Sequence, residues 1–275
     1  MTIRSQILEF LRDPSAFGDL SEDPDIWREA LDDFAVPGLA LHGDYPLTSA
    51  QVAAWFGLAK QRAGLILGPP GTGKTHLLAW LILGYIQARR RRDMRARVFV
   101  TAFTRNAIGN VIDSVARHSA RHCAGLFETH FFGTAPSNGL DSLVQHRAIL
   151  GKKGSEAALG DLDQDAVVAG GSVWSLYRIL GESKIGDHYT SDLFDLVCVD
   201  EASQMVVSHG LMAMAGLREG GRLVVAGDDR QLPPIRAGRE IAMGERQLGG
   251  SLYALLKSAG LPEYALDETF RVDFH

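Results

Sequence analysis

A chain of 275 residues with 46% hydrophobic and 22% charged residues can bury the core of one large domain or two small ones. The net charge of −5 excludes a polycationic surface, so contact with nucleic acid would have to come from a local patch. Two cysteines, Cys123 and Cys198, exclude a disulfide framework and match no paired-cysteine metal spacing, which points to a reducing, cytoplasmic setting.

In chain order, residues 1–46 read as an N-terminal helical segment, with amphipathic stretches around Ile3–Leu11 and Pro24–Phe34. The opening stretch lacks a continuous apolar run, so it does not read as a signal peptide. "LTSAQVAAWFGLAK" predicts a helix starting at Thr48 or Ser49. After it, apolar runs of strand length alternate with helical patterns, at 63–68, 97–102, 166–170, 193–200 and 221–227. These runs are nearly continuous in Val, Leu and Ile, which is the pattern of strands buried on both faces. They predict an α/β fold with a mostly parallel central sheet and helices on both faces. The longest apolar run, Leu77–Ile86, covers only about half of a bilayer and suits a buried helix, so no membrane partner is expected. Residues 118–162 are rich in Gly, His and Ser, break the rhythm, and read as an accessory insertion between two strands.

Three motifs carry the chemistry. "GPPGTGKT" comprises Gly68, Pro69, Pro70, Gly71, Thr72, Gly73, Lys74 and Thr75, and it follows an apolar strand and opens an apolar helix. Glycines there let backbone N–H groups turn around an anion, and the helix N-terminus adds its dipole. Lys74 would reach the β- and γ-phosphates, and Thr75 would hold Mg²⁺. "LVCVDEASQM" ends a second buried strand in Asp200 and Glu201. Adjacent carboxylates at such a place are costly unless they meet a cation, so Asp200 fits a Mg²⁺ ligand and Glu201 a general base. "LVVAGDDRQLPPI" ends a third strand at Gly227-Asp228, with Gln231 ahead of two prolines.

In this order, "GPPGTGKT", "VDEASQ" and "GDDRQLPP" resemble motifs I, II and III of superfamily 1 helicases. "DEASQ" is similar to the 5′-to-3′ branch that includes the nonsense-mediated decay RNA helicase and the Okazaki-fragment helicase-nuclease. The resemblance implies a first RecA-like ATP-binding domain over residues 47–271, using ATP and Mg²⁺ and moving along a single strand of DNA or RNA. It implies that Gln51, in "LTSAQ", bonds the adenine edge and that Gln231 senses the γ-phosphate. "VTAFTRNAIGNVI" resembles motif Ia, which would set Thr104 and Asn106 against a nucleic-acid backbone. Phe103 stands where the family often has Pro. "VVAGGSVWSL" resembles motif Ic, which would bring Gly171 and Ser172 to phosphates. "LDETFRVD" resembles the segment that leaves the first motor domain. It would face Arg271 to the γ-phosphate, with Thr269 and Phe270 replacing the family's Gln and Tyr. Residues 272–275 would then begin a second RecA-like domain absent from this chain, and without its arginine, turnover is expected to be very slow.

Other features invite functional readings. The basic run Ala88–Arg97 ends one helix and precedes a strand, which would put it at the sheet edge opposite the motifs. His118 and His122 share a helix face, but no second ligand pair follows at zinc spacing. Trp174 follows the motif Ic loop, where base stacking and a plain surface position are both open. The competing function is a nucleotide-gated binding module that does not translocate. An intact Glu201 argues against it, because a binder has no use for a general base.

Overall fold

The computed structural model describes residues 47–123, 126–182, 184–185, 188–189, 192–228, 230–231, 234, 242–243, 246–247 and 250–268. The expected N-terminal helical segment, 1–46, and the segment from Thr269 onward with Arg271 lie outside the described residues.

The first helix, α1 (Ser49–Ala59), starts where the sequence predicts. The Thr48 hydroxyl accepts from the Gln51 N–H, and the Gln51 side chain returns a bond to the Thr48 N–H. This reciprocal cap satisfies two N–H groups that a helix end otherwise leaves open. There follow β1 (Ala63–Leu67), α2 (Lys74–Arg90), β2 (Ala96–Ala102), α3 (Arg105–His122), β3 (Glu128–Phe132), β4 (Gln145–Arg147), α4 (Gly151–Leu162), β5 (Ala166–Gly171) and α5 (Val173–Glu182). A two-residue ribbon, β6 (Lys184–Ile185) with β7 (His188–Tyr189), precedes β8 (Phe194–Asp200), α6 (Val207–Met214) and β9 (Leu217–Gly227). A second ribbon, β10 (Ala242–Met243) with β11 (Arg246–Gln247), precedes α7 (Leu252–Ser258) and β12 (Glu263–Ala265).

Eight strands form one sheet in the order β12-β1-β9-β8-β2-β5-β3-β4, every neighbour parallel. Side chains alternate between two separate cores. Leu196 and Cys198 of β8 face the core beneath α1, α2 and α3, while Val197 and Val199 face the core beneath α4 to α7. This is the α/β RecA-like arrangement the motifs imply, with helices on both faces. The continuous apolar runs follow from it, because both faces of each central strand are dry. Close approach of α1 to α2 needs a glycine: a Cβ on Gly84 would lie 2.3 Å from the Trp55 ring, which is itself fully buried.

Residues 118–162 come between the paired strands β2 and β5 in the chain and are built into the sheet. Residues 118–122 finish α3, β3 and β4 extend the main sheet at its edge, and α4 covers that edge. The core-facing part of β3 is "HFF", too short and mixed to give a periodic signal. Among the described residues no helix is long and apolar enough to cross a membrane.

Parallel pairing has one consequence for function. The carboxyl ends of β1, β9, β8, β2, β5 and β3 all open on one rim, where ligands of such sheets gather. The basic run lies at the other edge. There Arg89 forms an ion pair with Asp195 at 3.2 Å, and Arg97 reaches Asp163 at 3.0 Å.

Candidate active site

The loop after β1 turns through positive φ at Gly71 (90°) and Gly73 (77°), a backbone that L side chains resist. Gly73 occupies the N-cap of α2 and has no side chain to close the first helical turn. The N–H groups there are left for an anion, in the positive field of a 17-residue helix. A Cβ at Gly68 would strike the Thr72 hydroxyl at 2.4 Å. Thr72 is buried and donates from Oγ1 to the Pro69 carbonyl at 2.9 Å, holding the loop from behind. Lys74 folds over the loop, with Nζ donating to the Gly68 and Pro69 carbonyls.

A cleft of about 450 Å³ opens above this loop. From the P-loop side it is lined by Pro70, Gly71, Gly73, Lys74 and Thr75, and from the neighbouring strand ends by Asp200, Glu201, Asp228 and Gln231. The order β1-β9-β8 makes this convergence: the three quoted motifs end three adjacent strands. The Thr75 hydroxyl faces Asp200 Oδ2 at 3.5 Å, and Asp200 Oδ1 accepts the Glu201 N–H at 2.8 Å. A hydroxyl and a carboxylate held this way are hard oxygen donors, the set that suits Mg²⁺. Burial pushes the Asp200 carboxyl up to about 6. The Glu201 N–H, Lys74 and Thr75 pull it down, and the Glu201 charge pushes it further up. A nearby dication would remove that penalty.

Glu201 sits at φ 52°, a left-handed conformation that costs a non-glycine residue about 1–3 kcal/mol. Its carboxylate does not point freely at solvent. Oε2 accepts a 3.0 Å bond from the hydroxyl of Thr104, which also caps α3 by accepting the Ala107 N–H. Gln231 Oε1 accepts from Gln204 Nε2 at 2.7 Å, which ties the loop after β8 to the loop after β9. Asp228 is buried, and its N–H donates to the Ser203 hydroxyl at 2.8 Å.

Several expected roles meet a different geometry. Gln51 is fully buried and does not line the cleft. Its amide is occupied by the Thr48 N–H and by the Thr72 and Gly73 carbonyls at 3.2 and 3.4 Å. Bonded at both ends in this way, the capping-box side chain braces the P-loop. Gly171 is also buried, where an added Cβ would lie 3.0 Å from the Phe132 carbonyl oxygen, so its smallness serves strand packing. Ser172 is half-buried and accepts the Ser175 N–H, capping α5. Asn106 is exposed and pairs with Ser137, accepting its N–H at 3.0 Å. Thr104 turns toward Glu201, on the nucleotide side. Three residues escaped the sequence reading: His76 and Asp228 in the cleft lining, and Gln204 beside Gln231. All three stand inside or next to a quoted motif, but their residue types alone signal nothing.

A sequence profile described as an AAA domain matches residues 51–237, which takes in the whole lining of the cleft. The DNA replication ATP-dependent helicase/nuclease DNA2 of Saccharomyces cerevisiae is 28% identical over 240 residues, 84% of this chain. This chain spans only 13% of that relative's length. Among solved structures, the ATP-dependent Type ISP restriction-modification enzyme LlaBIII bound to DNA superposes over 82% of this chain and 15% of its own. Its TM-score is 0.50 at 13% identity, a likeness of fold. The UvsW helicase from bacteriophage T4 covers 96% of this chain and 77% of its own at a TM-score of 0.48 and 11% identity.

Proposed function

The chain belongs to the AAA domain family, and from that premise we propose that it is the ATP-binding motor domain of a nucleic-acid helicase or translocase. The observation that carries this reading is the convergence of Lys74, Thr75, Asp200, Glu201 and Gln231 on one cleft. In the proposed site Lys74 leaves the Gly68 and Pro69 carbonyls and pairs with the β- and γ-phosphates, a charge-assisted contact stronger than the one it gives up. The backbone N–H groups at the start of α2 hold the same phosphates. Thr75 and Asp200 would hold Mg²⁺, which supplies charge neutralisation at the transferring phosphoryl group. Glu201 orients the attacking water and takes its proton, and Gln231 contacts the γ-phosphate. Arg271, carried over from the family segment, would act on the same phosphate.

The yeast relative is named as an ATP-dependent helicase/nuclease, and that name supports a nucleic-acid track for this chain too. We assign the track as a single strand of DNA or RNA, traversed 5′ to 3′ with a second RecA-like domain. The 275 residues by themselves bind nucleotide and turn it over slowly.

The test is thermal melting of the purified chain with and without ATP and Mg²⁺. Saturating nucleotide, at about 100 times Kd, is expected to add about 2.7 kcal/mol of stability. Chelation of Mg²⁺ should shrink that gain and Lys74→Ala should remove it. Glu201→Gln should keep it while abolishing residual hydrolysis. Melting indifferent to nucleotide would overturn the assignment. A Glu201→Gln chain with unchanged hydrolysis would favour the binding-module reading.

A further inference from the structure

Five large hydrophobic side chains stand exposed among the described residues, and three of them fall together. Trp174 is 58% exposed, Tyr177 65% and Leu150 79%. Trp174 and Tyr177 are three residues apart on α5, so their rings leave the same face of that helix. The opposite face buries Val173, Leu176 and Ile179, so α5 has no packing need for the two aromatics.

They border two adjoining hollows of about 400 and 560 Å³, which share Ile149, Leu150 and Arg178. The first hollow lies across the carboxyl ends of three neighbouring strands. Arg105 follows β2, Thr134 follows β3 and Ser172 follows β5. This is the rim that holds the nucleotide cleft, displaced along the sheet. Its lining contains two arginines, Arg105 and Arg178, and no acidic residue, in a chain whose net charge is −5. The second hollow adds Lys152, which meets Glu156 at 3.7 Å and Glu182 at 4.0 Å, while Arg178 forms no ion pair among the described residues. The Arg178 guanidinium donates to the Ile149 carbonyl at 3.1 Å, which fixes it along the groove floor. Trp174 rests against His209 with ring centroids 5.7 Å apart, so its indole is held at a set angle while more than half exposed.

Aromatic faces beside fixed positive charge are the chemistry that binds a single strand without reading its sequence. A protein partner would find less to recognise, since the apolar surface is broken by arginines and hydroxyls. We propose that Trp174 and Tyr177 form a stacking platform for bases of a single-stranded nucleic acid whose phosphates pass Arg105 and Arg178. This rests on the helicase reading above and adds to it a base-contacting pair: Trp174 within the motif Ic-like stretch and Tyr177 just beyond it. Arg105 also adjoins Thr104, the residue bonded to Glu201, so a strand in the groove would reach the proposed general base through these two residues.

The test uses the 275-residue chain with two fluorescent probes of equal length, a deoxythymidine oligomer and an abasic oligomer with the same phosphates. The double variant Trp174→Ala/Tyr177→Ala is expected to lose about tenfold or more of its affinity for the thymidine oligomer. Its affinity for the abasic oligomer should change by less than about twofold, because the arginines remain. Trp174→Phe/Tyr177→Phe should bind the thymidine oligomer nearly as the parent does, and it covers the case in which the alanine variant folds poorly. Nucleotide-dependent melting of each variant should match the parent. Equal losses on both probes, or none on either, would overturn the platform while leaving the motor reading intact. A parent chain that binds neither probe would remove the strand-binding part of both, and a docking surface for protein would then be the better reading of this face.

Discussion

Strand β8 carries a buried aspartate at each end, and the two illustrate opposite uses of a buried charge. Asp195, near the start, is surrounded by compensation. Arg89 pairs with it at 3.2 Å, Arg218 contacts the same oxygen, and the Arg97 N–H donates to the other at 2.8 Å. Asp200, at the far end, is equally buried but receives one backbone N–H and a long contact from Thr75, and the Lys74 charge offsets its burial only in part. The same residue type on one strand is thus neutralised at the edge that holds the fold together and left in electrostatic deficit at the rim that meets the ligand. A buried charge without its partner signals that the partner comes from outside.

The sharpest way to break this comparison is to remove each charge in turn. Asp195→Asn leaves Arg89 buried without its counter-ion and is expected to cost about 3 kcal/mol in urea unfolding. Asp200→Asn removes a charge that the apo protein barely compensates, so its stability without nucleotide should hold or rise. Of the two variants, only this one should lose part of the stabilisation by ATP and Mg²⁺, about as much as chelation of Mg²⁺ removes from the parent. Equal destabilisation by both substitutions would show that the two ends of β8 do not differ in kind.

A smaller effect tests the helix side of the cleft. His118 lies between His76 and His122 against the Trp80 ring, and its Nδ1 is buried with no hydrogen-bond partner among the described residues. Burial, with the charges of His76, His122, Arg121 and Arg117 acting the same way, lowers its pKa to about 4. The folded value is below the unfolded value of 6.5, so the unfolded chain binds the proton more readily. Stability is therefore full above about pH 6.5 and falls as pH drops toward about 4. For a partly exposed ring we expect a loss on the order of 1–2 kcal/mol across that window. Melting temperatures from pH 7.5 to 4.5 should fall less steeply in His118→Gln than in the parent.

Much of this contrast was legible in the sequence, for physical reasons that differ along the chain. The strands β1, β2, β5, β8 and β9 announced themselves because burial on both faces forces runs of Val, Leu and Ile. The strands β3, β4 and β12 did not, because β4 and β12 are three-residue edge strands and β3, next to the edge, is five residues of mixed type. The meeting of Lys74, Thr75, Asp200, Glu201 and Gln231 on one cleft was legible because their motifs close three buried strand runs. Gln51 has a second duty that its motif did not show, because the same glutamine in "TSAQ" closes a capping box and holds the P-loop carbonyls. His76 and Gln204 were silent, since nothing in their identity separates a cleft residue from its neighbours. The groove at α5 lay between: Trp174 drew notice in the sequence, but only the exposed rings and the clustering with Arg178 and Leu150 give it a shape.

The smallest expected effect falls where the two halves of the rim meet. Thr104 Oγ1 accepts the Ala107 N–H and donates to Glu201 Oε2, so one hydroxyl both starts α3 and restrains the proposed base. Thr104→Ser keeps the hydroxyl and should leave stability within a few tenths of a kcal/mol of the parent. Thr104→Val keeps the shape but removes both bonds, and loss of the cap should cost about 1 kcal/mol. The two bonds can be separated by measuring the same pair in a Glu201→Gln background, where the side-chain amide accepts the hydroxyl without a charge. If the Thr104→Val penalty is unchanged there, the cap accounts for all of it and the contact to Glu201 contributes nothing measurable in the unliganded protein. If the penalty shrinks by a few tenths of a kcal/mol, the charged contact is a real restraint, of the size that binding at the neighbouring groove would have to overcome to release the carboxylate.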